Sequence, residues 1–314
     1  MTKKELIKYL ARRFMKDTAW PVFIARCLRL CVIAYHKTKT PQLNPSCKYI
    51  YKMVQGNMMV LDTEDKGISR DLLIYGIREP KATYELQKCI KSGMTVCEIG
   101  ANIGYYALQE ADLVGPGWII AFEPVPSNIK LLDEAISINR VRNIELHEMA
   151  VGEFNGKINV NISANSNLCA IEGKAEGRDY KSKIIVPMIT LDSFFAHRKS
   201  PDILRMDVEG FEFEIIKGSK ELLKRGDPMI IFMEVHFDLL GKNVKPMLQI
   251  LKDNGFKVRA AFVEAHQSVN TEWGKNLLVK LDRFINGKTP TLDDMFSDRF
   301  TSGQVEYMEV FFER

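Results

Sequence analysis

The segment CEIGANIG, residues 97–104, follows a short apolar run and precedes YYALQEADL, which has the pattern of a helix. Glycines at a tight turn between a strand and a helix let the backbone come close to a ligand, and the start of the helix offers free N–H groups. The spacing of Glu98, Gly100 and Gly104 is ExGxxxG, which differs from the GxGxxG of dinucleotide-binding proteins and from phosphate-binding loops that end in Lys-Ser/Thr. The segment therefore predicts a nucleotide-type cofactor site that is not built for a diphosphate.

A second acidic residue follows the next apolar run. Glu123 comes directly after WIIAF, residues 118–122, and lies 25 positions after Glu98. This offset suits one strand-helix-strand unit, and a carboxylate at the end of such a strand can accept two hydrogen bonds from a ribose diol. Each signal alone is common in proteins, but the two together, in register with strands, indicate a ribose-containing cofactor.

Strands and helices alternate from Met94 onward, which predicts an α/β fold with a parallel, doubly wound sheet. The predicted strands are residues 95–99, 118–122, 144–151, 202–207, 229–235 and 257–263. The predicted helices are residues 105–113, 127–139, 211–224 and 244–255.

Further strands are predicted outside this alternation. Residues 48–62 alternate like a hairpin with its turn at residues 55–57, and the closing residues 306–314 predict a last strand. Residues 157–163 and 183–190 have the pattern of a strand pair inserted after the third strand of the sheet.

The basic charge of the chain is concentrated at its N-terminus. Residues 1–40 contain ten Lys or Arg and two acidic residues, although the whole chain carries a net charge of only +4. We therefore divide the chain into a basic, amphipathic helical segment, residues 1–45, and a catalytic domain, residues 46–314, with an insertion at about residues 264–303.

Two roles are open for the N-terminal segment. Apolar residues at helical spacing, among them Leu6, Leu10 and Phe14, alternate with basic ones, as in a helix that packs on the core or one that lies on a membrane surface. Its longest uncharged run, residues 18–25, is far shorter than the roughly 20 residues that a membrane span needs. We expect no membrane-spanning helix, and we expect packing on the core, with peripheral membrane contact through residues 1–40 as the alternative.

Cysteine usage indicates a reducing compartment. The six cysteines form no CxxC pair and several lie in apolar runs, which favours buried, reduced thiols over a disulfide framework or a zinc site. We therefore expect a cytoplasmic protein. The cysteines are Cys27, Cys31, Cys47, Cys89, Cys97 and Cys169.

Six segments between residues 68 and 240 resemble, in this order, the FkbM-type methyltransferases, a class I group that uses S-adenosylmethionine and largely O-methylates sugars, glycans and natural products. These segments are GISRDLLIYGIREP, CEIGANIGYYAL, IAFEPVPSNIKLLDEAISIN, TLDSFF, ILRMDVEGFEFEIIKGSKELL and MIIFMEVH. The resemblance implies a Rossmann-like, doubly wound, seven-stranded and mostly parallel sheet with an antiparallel last strand.

The resemblance also implies roles for individual residues. Those matching the cofactor-binding pattern are Glu98, Gly100, Asn102, Gly104, Glu123, Ala150 and Val151. Those matching the family's DVEG and EVH segments, and therefore the implied catalytic set, are Asp207, Glu209, Glu234 and His236. This chain departs from the pattern at Arg78, where an aromatic residue is frequent, and this leaves the role of Glu79 open.

Methyl transfer to an alcohol needs a group that accepts the hydroxyl proton. His236 is a suitable base because its ordinary pKa of about 6.5 is near neutral pH. A divalent metal held by the carboxylates is an alternative, but we do not favour it and assign no metal ligand, because backbone N–H groups, Arg205 or Lys217 can also satisfy these acids.

The leading hypothesis is an S-adenosylmethionine-dependent O-methyltransferase acting on a saccharide, glycolipid or secondary metabolite. A non-catalytic methyltransferase-like binding protein is the alternative, and a nicotinamide-dependent oxidoreductase lacks its GxGxxG spacing. We expect no nucleic-acid substrate, because the basic charge does not extend over the catalytic half. The sequence does not determine the acceptor or the oligomeric state.

Overall fold

The structure is a computed structural model that describes residues 27–28, 31, 47–174, 180–262, 289–297, 300, 305 and 307–314. The chain divides into two compact units, one of residues 1–42 with 265–289 and one of residues 43–264 with 290–314. The description below concerns the second unit. Nearly all of the predicted N-terminal segment and most of the predicted insertion at residues 264–303 lie outside the described residues, so those predictions stay predictions.

The main sheet has seven strands among the described residues. In spatial order they are Lys257–Phe262 (β12), Tyr307–Glu313 (β13), Ile230–His236 (β11), Ile203–Met206 (β10), Thr95–Ile99 (β3), Trp118–Phe122 (β4) and Ile144–His147 (β5). β13 is antiparallel to both of its neighbours, and the other pairs are parallel. The predicted fold class, a doubly wound and mostly parallel sheet with an antiparallel last strand, is confirmed.

The described α-helices are Ile68–Tyr75 (α1), Pro80–Cys89 (α2), Tyr105–Val114 (α3), Pro126–Asn139 (α4), Leu191–Phe194 (α5), Glu212–Lys217 (α6), Lys220–Lys224 (α7), Phe237–Leu240 (α8) and Val244–Asp253 (α9). The prediction of a single helix over residues 211–224 is wrong, because the helix is interrupted at Gly218. A Cβ at Gly218 would lie 2.0 Å from the carbonyl oxygen of Gly152. This close approach ends α6, and α7 begins two residues after Gly218.

A smaller sheet lies between β5 and β10 in the chain. Its spatial order is Ala150–Val151 (β6), Tyr180–Ile189 (β9), Gly156–Ser163 (β7) and Ala170–Ile171 (β8). The predicted strand pair is present, since β7 and β9 are antiparallel. The single strand predicted over residues 144–151 is wrong, because β6 leaves the main sheet and pairs with β9 instead.

The predicted hairpin is formed by Tyr49–Val54 (β1) and Asn57–Asp62 (β2). Its turn residues Gln55 and Gly56 both have positive φ, 49° and 91°, as a type I′ turn requires. The β2 strand docks on the end of α4, where the amide of Asn139 accepts from the Met58 N–H at 2.8 Å and donates to the Met58 carbonyl at 2.7 Å.

The apolar core has two parts, one on each face of the main sheet. Successive residues of β3 illustrate this, because Val96 belongs to one cluster and Cys97 to the other, and both are fully buried. Burial on both faces is the expected state of a parallel sheet covered by helices. The rings of Phe232 and Phe311 stack across β11 and β13 with centroids 4.1 Å apart.

None of the described helices has both the length and the apolar character needed to cross a bilayer. All six cysteines fall within the described residues and are free thiols. The expectation of buried thiols holds for Cys89 and Cys97, but Cys31 and Cys47 are exposed.

Candidate active site

A cavity opens at the carboxyl ends of β3, β4 and β10, where open α/β sheets bind their ligands. It encloses about 910 Å³, including its mouth to solvent. Among the predicted site residues, those lining it are Gly100, Asn102, Glu123, Ala150, Val151, Asp207 and Glu209. The predicted site residues that do not line it are Glu98, Gly104, Glu234 and His236.

Glu123 is a buried carboxylate on the wall of this cavity, with 3% of its surface exposed. It accepts hydrogen bonds from the backbone N–H of Asn102 at 2.8 Å and of Val125 at 2.9 Å, and from the side-chain amide of Asn128 at 3.2 Å. Burial raises the pKa of Glu123 to about 7, although these hydrogen bonds oppose the rise. The geometry fixes the carboxylate on the cavity wall directly after β4, and its role in binding ribose stays a prediction.

Asn102 connects the cofactor loop to a segment that contributes to the cavity wall from the smaller sheet. Its side chain donates to the carbonyl of Ser166 at 3.1 Å, and its φ is 51°. Ser166 in turn donates to Asp65 through its N–H and its hydroxyl, both at 2.8 Å. The chain therefore closes this side of the cavity with a fixed set of hydrogen bonds, which the sequence motifs did not indicate.

The two glycines of the opening motif are explained by packing. A Cβ on Gly100 would lie 2.5 Å from the carbonyl oxygen of Asp207, and one on Gly104 would lie 2.3 Å from Leu132 Cδ1. Both glycines have positive φ, 81° and 88°, which side chains disfavour. Gly100 thus brings the loop against the end of β10, whereas Gly104 begins α3 and lets α4 pack closely.

Glu98 lies behind the cavity wall and is fully buried. Its carboxylate forms an ion pair with Arg205, the residue opposite it in the pairing of β3 with β10. Burial raises the pKa of Glu98 to about 7, and burial, together with the charge of Glu98, raises the pKa of the neighbouring Glu110 well above its ordinary value. The partner of Glu98, Arg205, does line the cavity.

A loop that precedes α2 brings a second buried cation to the cavity. Arg78 lines it and forms an ion pair with Glu79 at 2.6 Å. Glu79 also accepts from the hydroxyl of Tyr106 at 2.8 Å, and its φ is 44°. The role left open for Glu79 is therefore to hold Arg78 and Tyr106, and the ring of Tyr106 supports the guanidinium of Arg205 at 3.7 Å.

The remaining wall is largely apolar, as ligand pockets usually are. The aliphatic, proline and phenylalanine residues that contribute to it are Ile68, Ile99, Ala101, Phe122, Pro124, Val125, Met149, Ala150, Val151, Val160, Ala170, Ile171, Val208 and Phe211. Ala150 and Val151 are 5% and 3% exposed, and together they form β6, a strand of the smaller sheet.

The predicted catalytic residues meet at the carboxyl ends of β10 and β11. We call Asp207, Glu209, Glu234 and His236 the carboxylate–histidine cluster. His236 Nε2 lies 3.7 Å from a carboxylate oxygen of Glu209 and 3.8 Å from one of Glu234. Asp207 and Glu209 face the cavity, and Glu234 and His236 lie behind them.

Charges within this cluster determine its protonation. Burial alone would lower the pKa of His236, but the carboxylates of Glu234 and Glu212 outweigh it and raise this pKa well above its ordinary value. Burial also favours the neutral form of Asp207, but the charges of Arg205 and His236 lower its pKa overall. The surrounding carboxylates therefore favour the protonated form of His236, and its predicted role as the base stays a prediction.

Comparison with known families identifies the family of this chain. Residues 98–258, just over half of the chain, match the family described as the methyltransferase FkbM domain. The chain belongs to the FkbM methyltransferase family. Its family and fold are those of S-adenosylmethionine-dependent methyltransferases. A search of curated proteins found no significant match.

Several solved structures resemble this FkbM protein. Trm5b from Pyrococcus abyssi is 12% identical with a TM-score of 0.45, and the alignment covers 86% of this chain and 57% of that one. TYW2 from M. jannaschii in complex with AdoMet is 13% identical with a TM-score of 0.43, over 87% and 90% of the two chains. An SAM-dependent O-methyltransferase from Thermotoga maritima is 15% identical with a TM-score of 0.40, over 76% and 66%. These similarities concern the fold alone.

Several residues of the FkbM cavity were not predicted as site residues. Among them are Ile68, Arg78, Tyr106, Ser166, Cys169, Arg205 and Phe211. Arg205 had a signal, because it is a charged residue inside the apolar strand ILRM. Ser166 and Cys169 lie between β7 and β8 of the smaller sheet, and no feature of the sequence marked them as site residues.

Proposed function

We propose that this FkbM methyltransferase transfers a methyl group from S-adenosylmethionine to a hydroxyl of a saccharide, glycolipid or small secondary metabolite. The observation that carries the proposal is the pair of carboxylates, Asp207 and Glu209, on the wall of the same cavity as Glu123. An alcohol must lose a proton as it attacks, so a carboxylate beside the reacting oxygen supports O-methylation.

The residues of the cavity fit the proposed cofactor. Glu123 would accept from the ribose hydroxyls, and the apolar wall that includes Val151 and Phe211 would take the adenine ring. Carboxylates beside the cavity, Asp207 foremost, suit the positively charged amino and sulfonium groups. When bound, S-adenosylmethionine supplies a methyl group on a cationic sulfur.

The chain has three tasks in this reaction. It holds the acceptor oxygen in line with the methyl group, it excludes water, and it takes the hydroxyl proton. We assign the third task to Asp207 or Glu209, because these members of the carboxylate–histidine cluster face the cavity. Glu234 and His236 lie behind them and would position them.

The acceptor and its location extend the proposal. A glycan or glycolipid acceptor would suit an enzyme whose basic residues 1–40 dock on a membrane surface from the cytoplasmic side. We propose no nucleic-acid substrate, because the net charge of the remaining chain is negative.

The proposal is tested by a methyl-transfer assay with labelled S-adenosylmethionine. Acceptors would be offered in matched pairs that differ only in a hydroxyl or an amino group. We expect label on the hydroxyl compounds alone, and we expect Asp207→Asn or Glu209→Gln to reduce turnover at least about 100-fold. S-adenosylhomocysteine should still bind to the Glu209→Gln variant. Labelling of the amines alone would contradict O-methylation.

A further inference from the structure

The carboxylate–histidine cluster has the spacing of a metal-binding site. One ligand atom from each of Asp207, Glu209 and His236 lies within 4.8 Å of the other two. Ligand atoms on one divalent cation with bonds of about 2.1 to 2.5 Å lie about 3 to 5 Å apart. The three side chains could therefore reach a common ion with only small movements.

The orientation of His236 gives independent support. Its Nδ1 lies 2.8 Å from Glu212 Oε1, and Glu212 is fully buried and also accepts from the Gly210 N–H at 3.1 Å. A carboxylate on Nδ1 holds the ring so that Nε2 can bind a metal in place of its proton, which is the usual outer-shell arrangement of histidine at metal sites.

The Nε2 atom itself has no hydrogen bond among the described residues. Its neighbours are the oxygens of Glu209 at 3.7 Å and Glu234 at 3.8 Å, both beyond hydrogen-bond range. His236 is only 7% exposed. A buried ring nitrogen that points between carboxylate oxygens at such distances is better explained by a shared cation than by direct hydrogen bonds.

Arg205 and Lys217, the cations expected from the sequence to neutralise these carboxylates, form ion pairs with other residues. Arg205 pairs with Glu98 and comes only within 4.0 Å of Asp207, and Lys217 pairs with Glu153 at 2.5 Å. Oδ1 of Asp207 is buried and has no hydrogen-bond partner within the described part of the chain. Neither Arg205 nor Lys217 therefore pairs closely with Asp207, and buried charges are normally paired or coordinated to metals.

We propose that Asp207, Glu209 and His236 bind one divalent cation at the inner wall of the cavity. Carboxylate ligands suit hard cations such as Mg²⁺ and Mn²⁺, and an imidazole ligand favours the transition metal of this pair. Mn²⁺ is therefore the probe of choice.

The cation also narrows the class of acceptor, an extension that rests on the proposed function. A cation beside the transferred methyl group would bind the acceptor oxygen and lower the pKa of its hydroxyl. Two adjacent oxygens would bind more strongly than one. The preferred acceptor is then a vicinal diol, as found in saccharides, rather than an isolated alcohol.

The proposal is tested by titrating chelator-treated protein with Mn²⁺ and following the free ion by electron paramagnetic resonance, with and without S-adenosylhomocysteine. We expect one site per chain, weakened at least tenfold in both Asp207→Asn and His236→Gln. His197→Gln is the matched control, because His197 is an exposed histidine outside the cluster, and it should bind Mn²⁺ like the wild type.

Two outcomes would overturn the proposal: no Mn²⁺ binding by the wild type under either condition, or unchanged binding in His236→Gln. Calorimetry with S-adenosylhomocysteine on the same samples shows whether each variant remains folded and competent. Mn²⁺ binding without any binding of S-adenosylhomocysteine would support the metal site and refute the cofactor assignment, so the two failures are distinguishable.

Discussion

The affinity of the protein for S-adenosylhomocysteine should depend on pH through Glu123. This carboxylate is 3% exposed, and burial raises its pKa to about 7. Ribose hydroxyls donate hydrogen bonds to a carboxylate, so they favour its ionised form. Protonation of Glu123 below pH 7 should therefore compete with binding, and the affinity should fall as the pH is lowered.

The size of the effect follows from the pKa. With a value of about 7, the ionised fraction of Glu123 changes about tenfold between pH 8 and pH 6, which corresponds to about 1.4 kcal/mol of binding free energy. Calorimetric titration with S-adenosylhomocysteine should thus give a Kd about tenfold higher at pH 6 than at pH 8.

Glu123→Gln is the matched control, because an amide has a similar shape but does not titrate. Its NH₂ would face one of the backbone N–H groups that Glu123 accepts from, those of Asn102 and Val125. This mismatch should cost about 1 to 3 kcal/mol of stability. Binding should be weaker and nearly independent of pH. A wild-type affinity that does not change with pH would contradict this prediction. A variant whose affinity keeps the pH dependence of the wild type would also contradict it, and would point to Glu98, whose pKa is also raised to about 7.

Three further predictions concern stability. Gly104→Ala should lower the free energy of unfolding more than Gly56→Ala does, with a difference of at least about 2 kcal/mol. A Cβ at Gly104 meets a leucine at 2.3 Å, whereas one at Gly56 meets nothing within 4 Å. Equal losses in urea denaturation would refute this prediction. Glu110→Gln should raise the Tm more at pH 8 than at pH 5. The raised pKa of Glu110 makes the folded state retain a proton that the unfolded state releases at high pH, and glutamine removes this cost to stability. The same change in Tm at both pH values would contradict the prediction. Ser166→Ala should cost about 1 kcal/mol and weaken binding of S-adenosylhomocysteine, since Ser166 hydrogen-bonds to a carboxylate and lines the cavity; unchanged calorimetric affinity would argue against that link.

The sheet could be predicted from the sequence because its strands are continuous apolar runs, as burial on both faces requires. The position of Glu123 followed from the same pattern, since a residue directly after such a run lies at the carboxyl edge. The break at Gly218 could not be predicted, because it depends on the approach of Gly152, which is distant in the sequence.

The side chain of Glu98 was harder to place than that of Glu123. The sequence shows an acid inside one apolar strand and Arg205 inside another, but the pairing of these two residues depends on the neighbouring positions of β3 and β10. The cofactor role assigned to Glu98 through the family resemblance stays a prediction, because the residue lies behind the cavity wall. Two strands of the smaller sheet were also predicted. The hydrogen bond from Asn102 to Ser166 could not be predicted, because it depends on where the fold places Ser166.

The central claim is that this FkbM protein binds S-adenosylmethionine in the cavity beside Glu123. The most direct measurement is calorimetric titration at pH 8 with S-adenosylhomocysteine, beside a nicotinamide dinucleotide, for the wild type and Glu123→Ala. We expect binding of S-adenosylhomocysteine alone, weakened at least about tenfold by the substitution, as the loss of a hydrogen bond to a charged group implies. Binding of the dinucleotide instead, or an affinity for S-adenosylhomocysteine that does not change in a folded Glu123→Ala protein, would contradict it.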